Sequence, residues 1–191
     1  MTVWWITLFS TYFLCLFARM SGKYKYVKGE RVFRANALFA GMACAVLIFV
    51  SGFRENVGDT VTYRNLFKKV PANFISFVKH PTIKEDSGFY AIVAFIKQLI
   101  SPDSQKVLLC MAIVTIGLIF ITYYKNTDMI EMAVFLFITS GCYLVTMNGV
   151  RQYLASAILF FCFPMIHKKQ WKFYIPIVLL CSTIHQSALI F

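Results

Sequence analysis

Four short segments of this 191-residue chain concentrate the residue types that move protons or answer negative charge. Gly52-Phe53-Arg54 is followed by Gly58-Asp59-Thr60 and Tyr63. Glu85-Asp86-Ser87-Gly88-Phe89 leads into an apolar stretch. Asn148-Gly149-Val150-Arg151-Gln152 sets three polar side chains and a glycine at one junction between apolar runs, and His185-Gln186-Ser187-Ala188 interrupts the last such run. Carboxylates and imidazoles take and return protons, and guanidinium groups form charge-assisted bonds to anions. Ionisable groups close to apolar runs are costly to keep there and are functional candidates by default.

Each of these residues also has a plainer reading. Arg54 and Arg151 lie at the ends of apolar runs, where a long basic side chain snorkels to lipid headgroups. Asp59 stands where a helix N-cap would. Glu85 and Asp86 keep a loop solvated, the usual place of carboxylates. His185 snorkels poorly, so its structural role would be a hydrogen bond between helices. Glu131 is assigned to a local pair with Lys125 or to a lipid interface.

Several chemistries leave no trace in the sequence. There is no P-loop and no G-x-G-x-x-G segment, no zinc-ligand spacing and no G-x-S-x-G elbow. A substrate is therefore expected from the membrane or the external side, without a cytosolic nucleotide donor. The six cysteines, Cys15, Cys44, Cys110, Cys142, Cys162 and Cys181, all lie within apolar runs. None has C-x-x-C spacing, and they read as small core residues.

The elements that must position these groups follow from composition. The chain is 59% hydrophobic, 17% aromatic and 14% charged, against about a quarter charged in soluble domains. That excludes a soluble globular enzyme, a disordered tail and a collagen-like fibre, and points to an all-α, polytopic membrane protein. The net charge of +11 does not imply nucleic acid, because the basic residues sit in short segments between apolar runs, the usual pattern beside anionic lipid surfaces.

Six runs, residues 2–18, 35–52, 107–124, 129–147, 150–166 and 173–191, each have about 17 to 19 residues, near the ~20 that cross a bilayer. A shorter run, 88–100, has helical periodicity. Phe89, Ile92, Val93, Ile96, Leu99 and Ile100 share one face, and Tyr90, Ala91, Ala94, Lys97 and Gln98 the other. It reads as an external interfacial amphipathic helix, lying on the membrane or packed against the bundle. Arg19, Lys23, Lys25, Lys28, Arg31 and Arg34 crowd one loop against one acid, Glu30, and Lys168, Lys169 and Lys172 another with none. Both are cytoplasmic by the positive-inside rule, and both land inside only if 88–100 does not cross.

Residues 53–106 then form an external loop. Its expected short helices start after Asp59, start at Pro71 and end near Lys79, and its last residues place Ser101 as cap with Pro102 at the first helical position of the next span. The first basic residue, Arg19, follows the first apolar run, the reverse of a cleavable signal, so the N-terminus is expected outside. The polar segments converge on the outer level, with His185 about two-thirds along the last span, ~18 Å above its start at 1.5 Å per residue. The chain reads as one transmembrane domain over residues 1–191, incomplete at its C-terminus.

Together the four segments resemble the EpsG family of bacterial exopolysaccharide-polymerising membrane proteins, relatives of the Wzy-type polymerases. Gly52-Phe53-Arg54 with Gly58-Asp59-Thr60 and Tyr63 is similar to that family's "G-x-R … G-T-D … Y". Glu85-Asp86-Ser87-Gly88-Phe89 is similar to "E-P-G-F", with Asp86-Ser87 in place of the proline. Asn148-Gly149-Val150-Arg151-Gln152 with Ala155 is similar to "N-G-I-R-Q-x-x-A", and His185-Gln186-Ser187-Ala188 to "H-x-S-A". Each motif is weak alone; their order and spacing over residues 52 to 188 make the match specific. Family members are about twice this length.

The resemblance implies joining of polyprenyl-diphosphate-linked repeat units into extracellular polysaccharide at the outer leaflet of the bacterial cytoplasmic membrane. Arg54 and Arg151 would hold the leaving diphosphate. Asp59, Glu85 or His185 would take the acceptor's proton. Tyr63, Asn148 and Gln152 would bind substrate. No cofactor is implied, and no metal is needed where arginines neutralise the diphosphate. Partners would be the lipid-linked oligosaccharide, membrane lipids and other polysaccharide-synthesis proteins, not nucleic acid. The alternative is a non-enzymatic lipid-linked-oligosaccharide transporter or an accessory subunit, but a transporter wants polar residues along a path between leaflets, and the runs carry little charge below the outer level.

Overall fold

A computed structural model describes residues 2–27, 30–79 and 85–190 of the chain. Helix α1 (Thr2–Met20) is followed by an antiparallel pair, β1 (Lys23–Val27) and β2 (Glu30–Arg34), with Lys23 opposite Arg34 and Tyr24 opposite Phe33. Then come α2 (Ala37–Gly52), α3 (Thr60–Lys69), α4 (Phe74–Lys79), α5 (Ser87–Leu99), α6 (Ser104–Asn126), α7 (Ile130–Thr139), α8 (Cys142–Asn148), α9 (Val150–Cys162), α10 (Pro164–His167) and α11 (Trp171–Ile184), closed by a 3₁₀ turn over Gln186–Ile190. The all-α class holds. The hairpin is an addition within a segment read only for its charge, although Lys23-Tyr24-Lys25-Tyr26 alternates with the period of a strand.

The chain is a helical membrane protein. Three stretches, Thr2–Met20, Ser104–Asn126 and Val150–His167, are long and apolar enough to cross a bilayer. Helices α7 and α8 together are long and apolar enough to be a broken span or a re-entrant loop, bent by 57° at a break where Gly141 takes φ +82. Helices α2, α5 and α11 are shorter and apolar.

Because lipid tails are as apolar as leucine, helix association in a membrane relies on close packing and hydrogen bonds. Small residues supply the closeness here. Cys15 and Ala18 of α1 and Ala40 and Ala43 of α2 are all buried. A Cβ on Gly52 would come within 2.5 Å of Leu109 Cδ1, which fixes how tightly α2 meets α6.

One end of the bundle is stitched by polar bonds. Arg34 Nη1 donates to the carbonyl of Lys125 at 2.8 Å, the Tyr124 hydroxyl donates to Ala35 O at 2.9 Å, and Arg19 pairs with Glu131 at 3.0 Å. Glu131 is thus bound to Arg19 of α1, not to Lys125. Its side chain is only 2% exposed and Oε2 has no hydrogen-bond partner among the described residues. Lys125 instead lies over the Phe161 ring.

The remaining connections meet at the opposite end. Asp103, rather than Ser101, caps α6 by accepting from Gln105 N at 3.0 Å. Asn73 bonds Ser76 N and starts α4 at Phe74, later than Pro71 suggested.

Helix α5 begins and finishes at this same end. Its N-terminus reaches the start of α9 and the end of α11 through Asp86. Its C-terminus runs into the start of α6, where Ser104 Oγ donates to Arg64 O. It therefore does not traverse the bundle. It also does not lie with its polar face outward. Tyr90, Val93, Ala94 and Lys97 are buried, while Phe95, Leu99 and Ile100 are exposed. Phe89 is buried as well, so the packed side of α5 takes in parts of both faces, and Lys97 is held on it. Its Nζ donates to Phe67 O at 2.6 Å and Val70 O at 2.7 Å, satisfying carbonyls that the end of α3 leaves open.

Candidate functional site

Asp86 is the hub of the site. It occupies the N-cap position of α5 with φ 50 and ψ 40, a left-handed conformation that Asp tolerates better than most residues. Its carbonyl accepts from Phe89 N at 3.0 Å, but its side chain makes no capping bond. The carboxylate is turned into the bundle instead, where Oδ2 accepts from Arg151 Nη1 at 2.7 Å and lies 3.4 Å from His185 Nδ1. The Asp86 side chain is 10% exposed; Arg151 and His185 are about a third exposed.

Three backbone devices bring these groups together. The helical run from α8 breaks at Gly149, so Arg151 sits in the first turn of α9 with its side chain at the bundle's end. Helix α11 stops at Ile184, and His185 leaves it in an extended conformation. The imidazole is therefore at a helix terminus and not two-thirds along a continuous span, and the break frees it to turn toward Asp86. Finally, α5 must approach α11 closely. A Cβ on Gly88 would stand 2.1 Å from Thr183 Oγ1, so only glycine lets Asp86 come within reach.

Tyr63, in α3 and 6% exposed, approaches Arg151 as a hydrogen-bond partner and lies within the electrostatic range of Arg54 as well.

Arg54 belongs to a separate nest. It is 7% exposed, with Nε on Thr60 Oγ1 at 3.0 Å, Nη1 on the Ser51 carbonyl and hydroxyl, and Nη2 on Met147 O at 3.3 Å. Burial pulls its pKa below the usual arginine value. No carboxylate stands within ion-pair distance of it among the described residues. Arg64 adds like charge, donating to Arg54 O at 3.2 Å and to Gln105 Oε1. A snorkelling anchor would reach outward, whereas Arg54 ties the end of α2 to the start of α3 and the end of α8.

Asn148 packs beneath the same junction. Gly58, at φ +54, lies so close that a Cβ there would coincide with Asn148 Oδ1, which has no partner of its own among the described residues. Asp59 holds the N-cap position of α3 but makes no side-chain capping bond. Asp59, Glu85 and Gln152 are exposed and are not drawn into either arginine's contacts. Among the described residues, no group of three or more His, Cys, Asp or Glu is placed to hold a metal.

The order of motifs that carries this geometry is also that of a known family. The family model of the EpsG family matches residues 37–191. The chain belongs to the EpsG family. A search of curated proteins and a search of solved structures each returned no match. The EpsG match takes in both arginines, Tyr63, Asp86 and His185, and starts at the first residue of α2, leaving out α1 and the hairpin.

Sequence reasoning left Asp86 among loop carboxylates. The signal that could have found it was its place just before Gly88, at the start of a helix with a small residue in its first turn. The Ser51, Thr60 and Met147 acceptors around Arg54 carry no comparable signal, because two of the contacts are to backbone.

Proposed function

We propose that this EpsG-family chain takes part in joining polyprenyl-diphosphate-linked repeat units into extracellular polysaccharide at the outer leaflet. The observation that supports this most directly is the meeting of Asp86, Arg151 and His185 at one end of a membrane-embedded bundle. In this reading Asp86 accepts the Nδ1 proton of His185, which leaves Nε2 with a free lone pair to act as base. The acceptor sugar's hydroxyl oxygen bonds to the donor's anomeric carbon, and its proton passes to Nε2. The bond between that carbon and the diphosphate oxygen breaks, and the electron pair departs with the lipid diphosphate. Arg151 answers the charge that develops on the leaving oxygen, as a preorganised cation in a low-dielectric site does.

The reading includes six spans: the three long stretches, the bent pair α7–α8, and the shorter α2 and α11. It places the hairpin end in the cytoplasm of a bacterial inner membrane, with the N-terminus outside. The supporting feature is the density of Arg and Lys at that end. Other polysaccharide-synthesis proteins are its expected partners, and no nucleotide cofactor is required.

The experiment is polymer production in cells that depend on this chain, comparing wild type with Asp86→Asn, Arg151→Lys and His185→Ala at equal amounts of inserted protein. Loss of polymer in all three supports the reading. Undiminished polymer length and yield in the three variants would remove the site from catalysis.

A further inference from the structure

Behind the Arg54 nest lies a cavity of about 10 Å³, room for roughly one water-sized sphere. Ser51 and Arg54 line it from the end of α2, Thr115 from α6 and Thr146 from α8, and Val150 opens α9 beside them. The other walls are apolar side chains of α6. Ser51, Arg54, Thr115 and Thr146 are all more than nine-tenths buried.

Thr115 differs from other helical threonines of the bundle. Thr7, Thr11, Thr122, Thr139 and Thr183 each donate their hydroxyl to a backbone carbonyl three or four residues back. The Thr115 hydroxyl makes no hydrogen bond among the described residues, although it is buried. Such a group is costly unless something pairs with it, and a ligand in the cavity is placed to do so.

Charge decides what kind of ligand. A guanidinium has five N–H groups. The bonds of Arg54 to Thr60, Ser51 and Met147 leave one hydrogen on Nη2 without an acceptor among the described residues. Its acceptors are all neutral, no described carboxylate lies within ion-pair distance, and Arg64 adds like charge. The first N–H groups of α9 have no partner in their own helix, and they carry the positive end of its dipole to the same place. A water molecule would satisfy Thr115 but leave the buried cation without a counter-charge, which is destabilising. An anion answers both. Room for a single sphere excludes sulfate, phosphate, carboxylates and any diphosphate.

We infer that the cavity binds one monatomic anion, chloride, between the Arg54 guanidinium and the Thr115 hydroxyl. The ion neutralises the arginine and joins the ends of α2, α8 and α9 to the middle of α6 through one centre. It lies outside the cluster of Asp86, Arg151 and His185, so its role is independent of the chemistry proposed there.

The test follows thermal unfolding of the full chain in nanodiscs as potassium gluconate is replaced by potassium chloride at constant ionic strength. The unfolding midpoint should rise by several degrees, and continue to rise with the logarithm of chloride once the site is mostly filled, as a ligand of the folded state requires. Bromide should replace chloride, and sulfate should not. Thr115→Val keeps the shape and removes the hydroxyl. It should need on the order of fivefold more chloride for the same rise, the equivalent of one lost hydrogen bond. Arg54→Gln should not respond to chloride at all. Wild-type crystals soaked in bromide should show an anomalous peak between Arg54 and Thr115. Superimposed melts in gluconate and chloride would mean that the cavity holds water and would overturn the inference. So would an equal chloride response in Thr115→Val and wild type, or bromide peaks confined to surface lysines, either of which would show ions on the exterior only.

Discussion

Asp86 and Arg151, 65 residues apart, form a 2.7 Å ion pair in which the carboxylate has given up its natural role as a helix cap. The pair is shielded on the Asp86 side and open on the Arg151 side. This asymmetry suits a carboxylate that positions its neighbours and a cation that meets a substrate.

Asp86→Asn keeps the shape and removes the charge. It should insert and accumulate normally yet lower polymer formation on the order of tenfold to a thousandfold, the equivalent of ~1.4–4 kcal/mol of transition-state stabilisation. Polymer chain length per unit of membrane-inserted protein is the measurement, and an unchanged length would demote Asp86 to a structural ion-pair partner.

The two arginines should respond differently to lysine. Lysine keeps the charge but not the planar fork. Arg151→Lys can still reach Asp86, so the protein should remain as stable as wild type while losing most polymer. Arg54→Lys cannot serve Ser51, Thr60 and Met147 at once and should lower the unfolding temperature in detergent. Similar melting temperatures for the two variants would contradict the bracing role drawn for Arg54.

Lys97→Met tests the buried lysine of α5. Methionine is apolar and of similar length, and it would strip the Phe67 and Val70 carbonyls of their donor. A buried acceptor left unpaired costs about 1–3 kcal/mol, so thermal stability should drop with little direct effect on chemistry per folded molecule. A variant as stable as wild type would mean that water or lipid headgroups replace the ammonium at no cost.

Gly58→Ala should be worse than a typical loop substitution. The new Cβ would collide with Asn148 Oδ1, and φ +54 strains any residue with a side chain. Lower expression and an earlier melt are expected. Pairing it with Asn148→Ala should restore part of the loss by removing the collision, and no recovery in the double variant would leave backbone strain as the whole cause.

Topology can be read by impermeant thiol labelling of single cysteines in a cysteine-free background. Lys68 and Lys106 are exposed at the site end and should label from outside; Lys23 and Lys169 should not. Lys97 is unsuited as a reporter because it is buried. External labelling at position 169 would reverse the assigned sidedness.

Apolar length and charge made the helical bundle legible in the sequence, and the order of motifs singled out Arg151 and His185, which the fold brings together at Asp86. What remained hidden depended on backbone breaks. No periodicity announces that α11 stops at Ile184 or that α7 and α8 part at Gly141, because apolar residues resume directly after Ser140-Gly141 and after His185-Gln186-Ser187. The burial of Tyr90, Ala94 and Lys97 beside the apolar residues of α5 has a related reason. Periodicity distinguishes polar from apolar faces, but the burial of Lys97 depends on what it can bond, namely carbonyls at the end of α3. Arg54 had been paired in expectation with Arg151. The structure gives it neighbours that donate no charge, and backbone carbonyls leave no mark in an amino-acid sequence.

The 99-residue separation of Asp86 and His185 bears on how the chain is made. At about 5–20 residues per second, a ribosome that has just added Asp86 needs roughly 5 to 20 s to reach His185. Through that interval the carboxylate waits at the membrane surface with its final neighbours still unsynthesised. Its hydration must be surrendered only when α9 and then α11 arrive, so the cluster of Asp86, Arg151 and His185 is assembled late, and no nascent chain that ends before His185 can display it.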